Sequence, residues 1–89
     1  MYSFTTRSKK AEKQFSTAIR LRDDMPKKLE RLQNDPRREL DAHPLKGKLD
    51  GKWSCWLGGN LRLVYEIDDE KKEIVICATG SHAVYRVDF

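Results

Sequence analysis

The chain has only two histidines, His43 and His82, and Arg62 stands between them on a strand-like run. Histidine titrates near neutrality, so it can take or give a proton, and one placed at a reacting group is worth roughly 10²–10⁴-fold in rate. Arginine keeps its charge and offers a planar fork to phosphate oxygens. A base, an acid and a fixed cation are what metal-free cleavage of a ribose–phosphate backbone requires. In that reaction the 2′-OH attacks its own adjacent phosphorus in line, and the 5′-oxygen leaves with a proton. The residue types suit this chemistry without deciding which histidine would take which proton. Around His82 the run "GSHAVYR" adds Gly80, suited to a backbone turn, and then Tyr85 and Arg86, a ring and a positive charge.

Each of these residues also has an ordinary structural use. His43 precedes Pro44, as polar residues at turns do. His82 could cap a strand end through a backbone hydrogen bond, and Arg62 could pair with Glu66 on an exposed face, a contact of little energetic weight. Trp53 and Trp56 bury large areas wherever they pack.

Elements able to position these groups are readable along the chain. "YSFTT" (2–6) alternates aromatic and polar residues as a short strand does. From Ser8, a candidate N-cap, Ala11, Phe15, Ala18 and Ile19 follow helical spacing. Asp23 or Asp24 then caps a second helix with Pro26 in its first turn, and Met25, Leu29 and Leu32 form its apolar stripe. The segment from Asn34 to Gly51 is interrupted by Pro36, Pro44 and Gly47, and "RREL" within it suits one helical turn. A connection of this length is often functional, and it carries His43, Lys46 and Lys48. Three strands follow, "KWSCWL" (52–57), "LRLVYEI" (61–67) and "EIVICAT" (73–79), joined by hairpin-length loops. The order is β-α-α-β-β-β, with a fifth short element at "VYRVDF". It predicts an α+β fold, two helices on one face of a mostly antiparallel sheet of four to five strands.

Strand parity puts Leu61, Leu63, Tyr65 and Ile67 on the helix-covered face, and Arg62, Val64 and Glu66 on an opposite, open face. A three-residue loop at Gly58–Asn60 would set Trp56 across from Arg62, close enough for a cation–π contact. A two-residue turn would shift the register by one and separate them.

Eighty-nine residues are read as one domain, 1–89. No apolar run approaches the roughly 18 residues of a membrane span, and the N-terminus lacks a secretory pattern, so a cytoplasmic protein is expected. Cys55 and Cys77 lie in apolar strand-like runs without CxxC spacing. They are expected as buried free thiols, and no metal or cofactor is expected. The formal charge of +4 is uneven: residues 1–50 carry 13 Lys/Arg against 8 Asp/Glu, and residues 51–89 carry 5 against 6. A basic half suits a polyanion such as RNA.

In order, "HPLKGKLDGKWSCWL", "NLRLVYEI", an apolar strand and "TGSHAVYR" resemble the RelE/ParE superfamily of type II toxins, most closely its YafQ- and YoeB-type mRNA interferases. The resemblance covers residues 40–86 by motif and the preceding helices by pattern. It implies a ribosome-dependent endoribonuclease whose partners are mRNA in the ribosomal A site and a cognate antitoxin. It places His43 as the base that takes the 2′-OH proton, Arg62 as the binder of the scissile phosphate and His82 as the acid for the 5′-oxygen. Tyr85 or Arg86 would hold substrate, with Trp56 as a stacking surface and Lys46, Lys48 and Lys52 as phosphate contacts. Trp56 and Asn60 stand where YafQ-type enzymes have a histidine and an aspartate, and Ala83 where YoeB-type toxins have an aromatic. That pattern points to the simpler set of one base, one arginine and one acid. Two other readings remain open on the sequence: a ParE-like inhibitor of DNA gyrase, and a toxin copy that only binds its antitoxin.

Overall fold

The Ser8 hydroxyl accepts the Ala11 backbone N–H at 3.1 Å and starts the first helix, as its position predicts. The structure, a computed structural model, describes residues 1–86. Its elements run β1 (Ser3–Thr6), α1 (Lys9–Arg20), α2 (Met25–Asn34), β2 (His43–Pro44), β3 (Trp53–Gly58), β4 (Leu61–Asp68) and β5 (Glu73–Gly80). A 3₁₀ helix, His82–Arg86, follows β5, and two shorter 3₁₀ turns, Glu39–Asp41 and Gly47–Leu49, flank β2. The five strands lie in the order β1-β5-β4-β3-β2. β1 is parallel to β5 and every other neighbour is antiparallel, which gives the expected α+β fold.

The fifth strand is not where the sequence places it. Val84–Arg86, expected within a short element at "VYRVDF", belong to the 3₁₀ helix, and residues 87–89 lie outside the described residues. The remaining strand is instead His43–Pro44, paired with Ser54 and Trp53. Pro44 has no N–H to donate, so this pairing stays short and at the edge of the sheet.

The apolar stripes of both helices face the sheet. Ala11, Ala18, Met25, Leu29 and Leu32 are buried, and the core continues through Cys55, Leu57, Leu63, Tyr65, Ile74 and Ile76. Phe15 meets Phe4 with ring centroids 5.5 Å apart. Tyr65 is fully buried, and its hydroxyl donates to the Pro36 carbonyl at 2.6 Å, tying the long connection to the sheet. Burial pushes the Tyr65 hydroxyl well above the ordinary tyrosine range, so it stays a donor.

Asp24 occupies the N-cap position of α2, yet its side chain makes no capping bond. Its carboxylate is held instead by Lys28 Nζ at 2.9 Å and by Arg22 Nε and Nη2 at 3.1 and 2.9 Å. The same two cations reach the sheet: Lys28 donates to the Leu57 carbonyl at 2.9 Å and Arg22 to the Gly58 carbonyl at 3.0 Å. Those carbonyls belong to a bulge. Trp56 pairs with Arg62 and Gly58 with Leu61, leaving Leu57 as the extra residue. The turn is therefore Gly59–Asn60, two residues, and the Trp56–Arg62 pairing survives because the bulge restores the register that such a turn would break. Gly58 adopts φ +101°, and a Cβ there would sit 2.6 Å from Arg22 Nη2 and 2.7 Å from Lys28 Nζ.

On the other side of the core, Asp69 in the β4–β5 turn accepts from both Arg37 Nη atoms at 3.1 and 2.8 Å and from the Tyr2 hydroxyl at 2.5 Å.

Gly58→Ala is expected to destabilise the fold by about 1–2 kcal/mol from its positive φ alone, read as a lower urea midpoint. An unchanged midpoint would remove the bulge from its place in holding the hairpin. Acid should act through Asp24 and Asp69, both held at a pKa of about 2, by Lys28 then Arg22 and by Arg37 then Tyr2 respectively. A carboxyl lowered on folding stabilises above its unfolded pKa, and that contribution fades as pH falls through the folded value. Thermal melts should therefore show stability falling from the ordinary carboxylate range toward pH 2, less steeply for Asp69→Asn and in high salt.

Candidate functional site

The alternation of β3 and β4 divides the sheet's side chains as parity requires. Leu63 and Tyr65 enter the helix-side core, with Leu61 and Ile67 packed half-buried against it. Arg62, Val64 and Glu66 take the opposite face with Ser54 and Trp56, their cross-strand neighbours. Two cross-strand rows result. One runs His43–Ser54–Val64–Ala78, the other Trp56–Arg62–Gly80.

This second face is not open throughout, contrary to expectation. Val64, Cys77, Ala78 and Val84 form a small buried cluster, with Leu45 and Tyr85 packed against it. Val84 sits in the 3₁₀ helix His82–Arg86, which folds back over the sheet. A segment bearing Val84 and Tyr85 covers apolar surface that β4 and β5 would otherwise expose. This fold-back brings His82 to the face that carries His43 and Arg62.

Arg62 lies with its guanidinium carbon 5.8 Å from the centroid of the Trp56 ring. The indole is held in turn, its Nε1–H donating to the Gly59 carbonyl at 2.8 Å, and the residue is 45% exposed. Glu66, the acid that could have neutralised Arg62, is engaged by Arg7 at 2.9 Å and by Lys52 at 3.6 Å. Arg62 Nη1 is buried and has no hydrogen-bond partner among the described residues. A buried guanidinium N–H without an acceptor is costly, and a phosphate oxygen is the acceptor that its fork fits.

His43 is exposed, and its Nδ1 lies 3.0 Å from the Asp41 carbonyl oxygen. A carbonyl only accepts, so Nδ1 carries the hydrogen, and the neutral ring keeps its lone pair at Nε2. The carbonyl is delivered by two left-handed residues in succession, Leu40 and Asp41, each at φ 57°. Such a conformation costs a non-glycine residue about 1–2 kcal/mol. Burying the Leu40 side chain in the helix-side core offsets that, since a buried leucine is worth about 1.5–3 kcal/mol.

His82 is exposed at the start of the 3₁₀ helix, edge-on to Tyr85 with centroids 4.8 Å apart and an interplanar angle of 81°. The Tyr85 hydroxyl is hydrogen-bonded to Ser54 Oγ at 2.6 Å. Of the expected RNA contacts, Lys46 and Lys48 are exposed around the turn Gly47–Leu49, and Arg86 is exposed at the end of the 3₁₀ helix. Lys52 is half-buried against Glu66 and is therefore a weaker candidate for a phosphate contact than the two exposed lysines.

Trp56 and Arg62 thus meet directly, His82 meets Tyr85, and His43 shares their face through its register with Ser54. Sequence reasoning missed Ser54, Leu40 and Asp41. A signal for Ser54 was present: it is a polar residue between Trp53 and Cys55, on the parity of Trp56. Cys55 and Cys77 are both free and buried, on opposite faces of the sheet, with the Cys55 thiol pushed up to about 12 by burial.

Comparison with known proteins agrees with this architecture. A family model described as "Bacterial toxin of type II toxin-antitoxin system, YafQ" matches residues 2–85. A metal-bound toxin from Helicobacter pylori is similar at 28% identity and a TM-score of 0.68, covering 94% of this chain and 98% of that one. A chain of the YoeB–YefM complex from Staphylococcus aureus is similar at 25% identity and a TM-score of 0.69, covering 92% and 98%. YafQ from E. coli, at 22% identity, a TM-score of 0.62 and coverage of 96% and 98%, shares the fold. No curated protein sequence matches significantly. The helix pair on a five-stranded mixed sheet, together with the match over nearly the whole chain, shows that this chain belongs to the YafQ family of toxins of type II toxin–antitoxin systems.

Proposed function

We propose that this toxin is a ribosome-dependent mRNA endoribonuclease that cleaves without a metal. The observation that carries the reading is Arg62: a buried, unpartnered guanidinium N–H on the sheet face shared with His43 and overhung by the helix that bears His82. Catalysis here is proton transfer plus charge stabilisation by groups already in place.

In the proposed reaction His43 Nε2 removes the 2′-OH proton, a role that its Nδ1 bond to Asp41 favours. The 2′-oxygen then attacks the adjacent phosphorus, and Arg62 holds the equatorial oxygens as negative charge builds. His82, starting as the imidazolium, donates its proton to the 5′-oxygen as the P–O5′ bond breaks. The products are a 2′,3′-cyclic phosphate and a 5′-hydroxyl end. Trp56, Tyr85 and Arg86 would hold the neighbouring nucleotides, and the exposed Lys46 and Lys48 the flanking phosphates.

The need for the ribosome is proposed from the resemblance to mRNA interferases. A site built from so few groups gains most from a substrate held in register by another body, as a ribosome would hold mRNA in its A site. A cognate antitoxin is proposed as the protein partner, since similar toxins are solved as complexes named YoeB–YefM and RelBE2. An acidic segment would complement the chain's net charge of +4. The proposed substrate implies a cytoplasmic protein. Among the described residues no helix is long and apolar enough to cross a membrane.

Primer extension on mRNA in translating ribosomes is the direct test. Wild-type protein should produce cuts that need the ribosome and leave a 2′,3′-cyclic phosphate and a 5′-hydroxyl, and His82→Ala or His43→Ala should lower the cleavage rate by about 10²–10⁴-fold. Intact mRNA with wild-type protein would overturn the proposal, and cuts leaving a 3′-hydroxyl and a 5′-phosphate would overturn the 2′-OH mechanism and its metal-free part. Arg62→Lys keeps the charge but loses the planar fork and most of the stacking on Trp56. Its cleavage rate should fall toward that of Arg62→Ala, and full activity in Arg62→Lys would show that a point charge suffices.

A further inference from the structure

Ser54 is fully buried, sits directly across the sheet from His43, and reaches the Tyr85 hydroxyl at 2.6 Å. We propose that Ser54 is a positioning residue for the active site, setting His82 relative to His43 through Tyr85. The inference rests on the nuclease reading given above and deepens it.

Among the described residues, the 3₁₀ helix that carries His82 is tied to the sheet in two ways. One is apolar: Val84 is buried with Val64, Cys77 and Ala78, and its Cγ1 lies 3.3 Å from where a Cβ on Gly80 would sit. Such packing is non-directional and holds the helix down without fixing how it is turned. The other is the Ser54–Tyr85 hydrogen bond, which is directional and lies in a half-buried setting where an unmade bond is costly. It fixes where the Tyr85 ring sits and the direction of its long axis. His82 packs edge-on against that ring at 4.8 Å and 81°, so the placement of Tyr85 sets the surface against which the imidazole is held.

Ser54 is therefore linked to both histidines of the site. His43 is its partner in the β2–β3 register, and His82 is reached through Tyr85. Acid and base must stand on opposite sides of a phosphate undergoing in-line attack, and small misplacements there are expensive in rate. Neither Ser54 nor the Tyr85 hydroxyl needs to exchange a proton with substrate for this role.

The test compares Ser54→Ala and Tyr85→Phe with wild type by steady-state cleavage on programmed ribosomes and by proton NMR of the free protein. Each variant should lower kcat about ten-fold with KM unchanged. The double variant should be no worse than either single one, because one bond is removed in each case. Ring-to-ring nuclear Overhauser contacts between His82 and Tyr85, present in wild type, should weaken in Ser54→Ala. Tyr85→Phe removes the hydroxyl at the less buried end, so it carries the test if Ser54→Ala folds poorly. Wild-type cleavage with kcat and ring contacts unchanged in both variants would overturn the inference and leave the nuclease reading standing. Equal losses in KM and kcat would also overturn it, as a sign of general loosening. A wild-type protein that cleaves nothing, yet loses the ring contacts in Ser54→Ala, would sink the nuclease reading while the positioning contact stands.

Discussion

The register between β3 and β4 governs everything built on the sheet. Side chains on a strand alternate strictly, so one residue of slip would carry Trp56 into the helix-side core and push Leu57 onto the face of Arg62. The two-residue turn at Gly59–Asn60 demands that slip, and the bulge at Leu57 reverses it. The bulge is held from outside the sheet by Arg22 and Lys28, which bind its two carbonyls and share the Asp24 carboxylate. Ion pairs on an exposed surface contribute little by themselves. Here their geometric consequence matters more: they fix where a hairpin turns.

Once that register is set, the two faces of the sheet become different materials. The helix side is a continuous core ending in Tyr65, whose hydroxyl reaches the Pro36 carbonyl and anchors the connection leading to His43. The other side is only partly covered, by a cluster around Val64 and Val84, and beside that cover lie Trp56 and Arg62. Complete apolar cover would have buried Arg62 without a partner, and bare strands would have left it fully hydrated. Partial cover leaves Arg62 half-buried, with one buried N–H that lacks an acceptor.

Of the three non-glycine residues with positive φ among the described residues, two lie next to the proposed base and the third, Lys72, is in the β4–β5 turn. Leu40 and Asp41 adopt left-handed conformations, with burial of Leu40 as the compensating term. Their effect is local: the Asp41 carbonyl is turned to His43 Nδ1, which selects the tautomer. Strain held in place by packing and directed at a chemically useful atom is a recurring feature of functional sites.

How much of this could be read from the chain alone follows from the range of each signal. Helical spacing and strand alternation are local, so the two helices, the three long strands and the inward parity of Leu63 and Tyr65 were legible. His43, Arg62 and His82 are proposed for proton transfer and phosphate binding on residue type, because side-chain chemistry travels with residue type. The two-residue strand at His43–Pro44 was not legible, since it carries no periodicity and exists only by pairing with β3. Nor was the 3₁₀ helix at His82–Arg86, whose residues read equally well as a strand until Val84 finds the cluster beneath it. The bulge depends on Arg22 and Lys28, which lie 36 and 29 positions from the carbonyls they hold, and the Ser54–Tyr85 bond spans 31. Local pattern was enough to set the two helices, the long strands and the chemical repertoire. Register, tautomer and the cover over the second face came only with the packed fold, because each is fixed by partners that no neighbouring stretch of chain brings together.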